Sequence, residues 1–307
     1  PRARGGRVAT ANRECLETMA EQSAKTCGTG LFGRVCCCAR PAPEALGQFP
    51  ALTTCALGFM SGRTPAYLAG ETEHLLGGVA RTTPSEKERE LANRYWAKAV
   101  DCHSRGELDK AVAQFMQAAR LDGTRADILL HLGTALQDAG DLDDAASCYR
   151  RVLALDADNH GALYNLGYIY EEQRRFADAI KCFDDALRVA PKDSDAAINV
   201  GNCYMQMDDV GKAIATYEQV VRDDDDCAIG HYNLGSALHA RRDLEAAAGH
   251  FARTIALEPT YADAHFNLGI VHQELGQLAE ALKCYDAAAK LDEKLADAAN
   301  AADFIRK

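Results

Sequence analysis

Apolar and small residues recur along this chain at a step of 34 residues, from residue 92 to residue 295. Gly133, Gly167, Gly201, Gly235 and Gly269 form one column, with Ala99 in the slot before them. Ala111, Ala145, Ala179, Ala213, Ala247 and Ala281 form a second. Phe115, Tyr149, Phe183, Tyr217, Phe251 and Tyr285 form an aromatic third. Leu108, Leu142, Phe176, Val210, Leu244 and Leu278 form an apolar fourth, and a fifth stays small from Ala118 to Ala288. The same step produces four near-copies of one heptapeptide: YNLGYIY at Tyr164, INVGNCY at Ile198, YNLGSAL at Tyr232 and FNLGIVH at Phe266. A constant period without insertion marks an array of one structural unit.

Each unit reads as two antiparallel helices. In residues 126–159 the spacing predicts a first helix over Ala126–Ala139, a break at Gly140 and Asp141, and a second helix over Leu142–Leu155. The small residues Gly133 and Ala145 let the two backbones approach, and Tyr149 fills the space between this pair and the next. One such hairpin cannot bury its apolar face alone, so the units must stack. The expected boundaries are 92–125, 126–159, 160–193, 194–227, 228–261 and 262–295, inside a segment 85–295 that opens on a capping box, Ser85 to Glu88. The ends depart from the pattern. The first unit carries Lys98 and Ala99 where others carry an aliphatic residue and glycine, and residues 296–307 put Asp303 in the glycine slot, as a terminal capping helix would.

Composition adds a boundary. Of 307 residues, 48% are hydrophobic and 26% charged, an ordinary balance for a folded water-exposed protein. The net charge of −11 argues against a nucleic-acid partner for the whole chain. That charge is uneven: residues 1–81 carry nine Lys/Arg against six Asp/Glu, and the remainder 25 against 39. The basic end coincides with an irregular, Gly- and Pro-broken extension, residues 1–84, which should order only against a partner or the acidic array. The chain starts at Pro1, as a processed or partial chain would, and Glu14, Glu17 and Glu21 make the start a poor transit peptide. No apolar run reaches the ~18 residues of a membrane span.

Tyr-Asn-Leu-Gly-type strings, small residues at the eighth, twentieth and twenty-seventh positions of a 34-residue unit, and Pro191 and Pro259 near its close make residues 92–295 resemble the tetratricopeptide repeat (TPR) family. The resemblance implies an all-α fold, a right-handed superhelical TPR solenoid, with the first helix of each pair lining a concave groove. Three columns of that helix then face the groove. They run Trp96, Leu130, Tyr164, Ile198, Tyr232, Phe266; Ala97, His131, Asn165, Asn199, Asn233, Asn267; and Val100, Thr134, Tyr168, Asn202, Ser236, Ile270. An aromatic strip beside an asparagine ladder suits an extended peptide, since each amide both donates and accepts. The expected contact residues are Tyr164, Asn165, Tyr168, Asn199, Asn202, Tyr232, Asn233, Phe266 and Asn267. The same asparagines also belong to the family's own pattern, so a purely structural use stands beside the ligand-binding one. TPR domains that grip chaperone tails place cations in this groove, whereas the corresponding slots here hold Leu130, Thr134, Asn165, Asp195 and Asn199. The expected partner is therefore a protein or extended peptide other than a chaperone tail, with the chain as a non-enzymatic scaffold subunit of a larger assembly. Two alternatives remain open: the substrate-recognition portion of a larger enzyme similar to O-linked N-acetylglucosamine transferases, or a transient assembly factor or co-chaperone of an organellar complex.

Candidate chemistry is sparse. His231 and His265 share one slot, His250 and Cys284 another, and neither pair is spaced to hold one ion. The acidic run Asp223–Asp226 reads as a solvated turn, and no nucleophile has an evident base, so neither a metal, a cofactor nor catalysis is expected. Cys148, Cys182 and Cys284 recur in one helical slot as small packing residues, which points to a reducing intracellular compartment: cytoplasm, plastid or mitochondrion. The run Cys36–Cys38, flanked by Cys27 and Cys55, lacks zinc spacing; reduced thiols packed on protein or S-acylation with peripheral membrane association both fit it.

Overall fold

The computed structural model describes residues 83–292 and 295–306, and every element among them is a helix. The N-terminal extension and its cysteines lie outside the described residues. Thirteen helices follow in order: α1 Glu86–Ser104, α2 Leu108–Leu121, α3 Ala126–Ala139, α4 Leu142–Leu155, α5 His160–Glu172, α6 Phe176–Val189, α7 Ser194–Gln206, α8 Val210–Asp223, α9 Ala228–Ala240, α10 Leu244–Leu257, α11 Ala262–Glu274, α12 Leu278–Leu291 and α13 Ala296–Arg306.

The local signals explain the boundaries. Ser85 caps α1 reciprocally with Glu88: its amide donates to the Glu88 carboxylate at 2.7 Å while its hydroxyl accepts from the Glu88 amide. Asn159 and Asp193 cap α5 and α7 through side-chain oxygens. Each hairpin turns through one left-handed residue, at Gly106, Gly140, Arg174, Asp208, Arg242 and Gly276, again one period apart. Three of these are not glycine, so the turn position is imposed by the packed hairpin and not by glycine alone.

The core is the set of repeated columns. The six alanines from Ala111 to Ala281 are fully buried, as are the rings of Phe115, Tyr149, Phe183, Tyr217, Phe251 and Tyr285. The glycine column exists because of those rings. A Cβ on Gly133 would stand 2.6 Å from Tyr149, on Gly167 2.8 Å from Phe183, and on Gly269 2.7 Å from Tyr285. Each aromatic of the second helix thus lies on the bare backbone of the first. At the C-terminal end α13 packs on α12 through Ala298, Ala301 and Ala302, leaving Asp303 and Phe304 exposed.

Candidate partner-binding face

Consecutive helices pack in chain order, and the first helices of neighbouring hairpins also touch across the stack: α3 with α5, α5 with α7, α7 with α9, and α9 with α11. Those first helices therefore form the tighter, inner face. It carries all nine expected contact residues, but the structure uses them unequally.

Tyr168, near the middle of α5, is 39% exposed. Tyr164 lies half-buried on the edge of Phe183, ring centroids 5.7 Å apart, and Phe266 lies against Tyr285 in the same way. Tyr232 is different. It is 7% exposed, wedged between Phe251 and Tyr261 at 5.8 and 5.0 Å, and burial raises its hydroxyl pKa. Asn233 beside it is 3% exposed. Tyr232 and Asn233, both among the expected contact residues, are buried in the core of the fifth hairpin.

The asparagine ladder is also largely committed. The Asn199 amide donates to the Tyr164 hydroxyl at 3.1 Å, and the Asn267 amide to the Tyr232 hydroxyl at 2.9 Å, each reaching 35 residues back into the preceding repeat. Asn202 accepts the Tyr217 hydroxyl proton at 2.6 Å. Asn199 and Asn267 thus join repeat to repeat while Asn202 joins the two helices of its own hairpin, which leaves only part of their capacity for a peptide backbone. Asn233 breaks the rule for a visible reason. The residue 35 before it is Ile198, which has no hydroxyl, and the Asn233 side-chain N–H is buried without a partner. Sequence reading missed this pairing because it depends on which residue occupies the slot one repeat away.

Three other features emerge only in three dimensions. Glu171 of α5 forms no ion pair among the described residues, and burial together with Glu172 raises its pKa to about 7. The imidazoles of His231 and His250, 19 residues apart, stack with centroids 5.3 Å apart and Nδ1 atoms at 3.0 Å. His231 Nε2 donates to the Asp225 carbonyl, as His265 Nε2 does to that of Pro259, so the shared slot latches each first helix to the loop before it. In the acidic run, Asp225 and Asp226 both pair with Arg253, at 2.6 and 3.1 Å. No group of three metal-binding side chains forms among the described residues. Burial pushes the Cys148 thiol up to about 12 and Cys182 to about 11, which suits packing residues rather than nucleophiles.

A stack of helical hairpins with an inner face built by the first helix of each is a solenoid of helical repeats. The chain belongs to the tetratricopeptide repeat family: tetratricopeptide repeat models match residues 130–194, 169–218 and 201–262, and a further one matches 262–295. Solved structures of similar fold include YrrB, described as a TPR protein with an unusual peptide-binding site (22% identity, TM-score 0.50, covering 61% of this chain and 96% of that one). PilF of Pseudomonas aeruginosa is 20% identical with a TM-score of 0.57, covering 67% and 94% of the two chains. MamA of Desulfovibrio magneticus RS-1 is 24% identical with a TM-score of 0.53, covering 58% and 99%. At these identities the likeness is one of fold. No curated protein matches the sequence.

Proposed function

We propose that this protein is a non-catalytic interaction scaffold whose inner face holds an extended segment of a protein partner, within a larger assembly that its N-terminal extension also contacts. The observation that carries the reading is the exposed ring of Tyr168, set among the half-buried Tyr164, Asn165, Asn199 and Asn202 on a helix face over which no helix packs among the described residues. An aromatic left in water at the centre of a strip of amides is the composition of a binding hot spot. The peptide-binding description of YrrB adds to this by likeness of fold. The contact set is narrower than the sequence implied: Tyr164, Asn165, Tyr168, Asn199, Asn202, Phe266 and Asn267, without the buried Tyr232 and Asn233.

Selection from a random dodecapeptide library on the immobilised full chain tests the reading. Enriched peptides should lose about tenfold in affinity on Tyr168→Ala and be indifferent to Ala154→Arg, an exposed second-helix position. Peptides that ignore Tyr168 but respond to residue 154 would place binding elsewhere. Deleting residues 1–80 should spare peptide binding while weakening co-purification with the assembly.

A further inference from the structure

Resting on that reading of the groove, we propose that its occupant is a partner segment carrying lysine or arginine, whose cation is received beside Tyr168 by the carboxylate of Glu171. Two kinds of observation lead there.

The first is charge. Inner-face positions 2, 5, 6, 9, 12 and 13 of the first helices contain no lysine or arginine from Asn93 to Glu274. They do contain carboxylates, and the structure gives several of them a hydrogen-bonded partner. Asp127 pairs with Arg125, Asp138 with His103 at 2.7 Å, and Glu274 with Arg242 at 2.7 Å. Glu171, Glu172 and Asp195, in the adjoining third and fourth repeats, take part in no ion pair among the described residues. Two of these carboxylates, Glu171 and Glu172, are chain neighbours at the end of α5, about one helical turn beyond Tyr168. Tyr168 is three residues before Glu171 and four before Glu172 on α5, so the three share one helix face.

The second is an unmet hydrogen-bonding demand. In repeats two and six the position equivalent to Glu171 is glutamine. Gln137 and Gln273 each accept the hydroxyl proton of the tyrosine on their own second helix, from Tyr149 and Tyr285, both at 2.9 Å. In the third repeat that aromatic is Phe183, which has nothing to donate. An acceptor slot that elsewhere holds a neutral amide with a donor here holds an acid without one. Burial raises its pKa to about 7, so the free protein bears a cost for keeping the charge. A guanidinium or ammonium entering over Tyr168 supplies the missing donor and the missing charge together, with its stem on the ring.

Charge complementarity selects the class of occupant. A second copy of the chain offers a strongly acidic array, and a carboxylate-ended tail meets no cation in these positions. A cationic segment meets both.

The test uses the full chain and three fluorescein-labelled decapeptides in which leucine alternates with arginine, glutamine or glutamate, read by anisotropy. The arginine peptide should bind best at pH 8 and lose at least about tenfold in affinity on Glu171→Gln, as expected for removing one partner of a desolvated charge pair. The same variant should leave the glutamine peptide unaffected and should be no less stable than wild type above pH 7. Binding of the arginine peptide should also weaken from pH 8 to pH 6 as Glu171 takes up a proton. Equal binding of the arginine peptide to wild type and Glu171→Gln, or a preference for the glutamate peptide, overturns the inference. If peptides depend on Tyr168 but not on charge, the groove reading stands and the cation assignment falls. If no peptide responds to Tyr168, the groove reading itself fails. A synthetic peptide of residues 1–13 that displaces the arginine peptide from wild type but not from Glu171→Gln would overturn the assignment to a partner and make the occupant this chain's own basic end.

Discussion

Replacing Gly201 with alanine should destabilise the protein, whereas the same replacement at Gly249 should stabilise it. Both glycines lie inside helices, so both changes gain the helix propensity of alanine over glycine, about 1 kcal/mol. They differ in what the new methyl meets. At Gly249 nothing lies within 4 Å. At Gly201 the methyl would stand 2.7 Å from Cζ and 2.8 Å from Cδ1 of Tyr217, and nearer still to Cε1. That ring has little room to yield, being 1% exposed and tied to Asn202 by a 2.6 Å hydrogen bond. Overpacking of this kind costs about 1–3 kcal/mol, so Gly201→Ala should come out between about neutral and 2 kcal/mol destabilising. The comparison is sharper than either value. Propensity cancels between the two variants, leaving about 1–3 kcal/mol of difference that is purely steric. In a domain of this size each kcal/mol moves the melting temperature by about 2–4 °C. Thermal melts followed by circular dichroism would resolve a gap of that size. If the two variants melt together, the ring does not lie on that backbone and the account of the glycine column is wrong.

Ile198→Tyr should place a hydroxyl against the orphaned amide of Asn233 and raise stability by about 0.5–1.5 kcal/mol in urea titration, a gain that must vanish when Asn233 is also replaced by valine. Tyr232→Ala should cost about 3–5 kcal/mol, because it empties a buried site between Phe251 and Tyr261; an unchanged urea midpoint would return Tyr232 to the list of surface anchors. The His250 contribution to stability should fall as the pH drops below 6.5, opposite in sign to that of Glu171, whose raised pKa favours the fold as it takes up a proton. Burial, then the neighbouring His231, lowers the pKa of His250 below 6.5 while Glu218 opposes, so in that range the unfolded chain binds the proton more readily than the folded one. His250→Asn should flatten this dependence, and a variant whose urea midpoint tracks wild type from pH 7.5 to 5.5 would dismiss the histidine pair as its source.

What the sequence determined by itself was the repeat and its joints. The helix limits Ala126–Ala139 and Leu142–Leu155 were readable because they rest on local periodicity and on turn residues, and both are properties of neighbouring positions. The buried alanine and aromatic columns were readable for a related reason: six copies of one steric requirement leave the same mark six times. The candidate face was readable only as a list of positions. Whether a position on it is surface or core depends on the side chain lying across from it in the next hairpin, and the repeat alters that partner from copy to copy. Tyr232 and Tyr164 occupy the same column, yet Tyr261 lies 5.0 Å from the first, which is buried, while His160 lies 6.4 Å from the second, which is only half-buried. Asn199 finds a tyrosine hydroxyl one repeat back while Asn233 finds Ile198. Glu171 becomes a charged group without a donor because Phe183 replaces a tyrosine, and His231 meets His250 across a helix pair. Each of these is a contact between residues many positions apart, with a strength set by distance and burial, and those exist only once the hairpins are stacked.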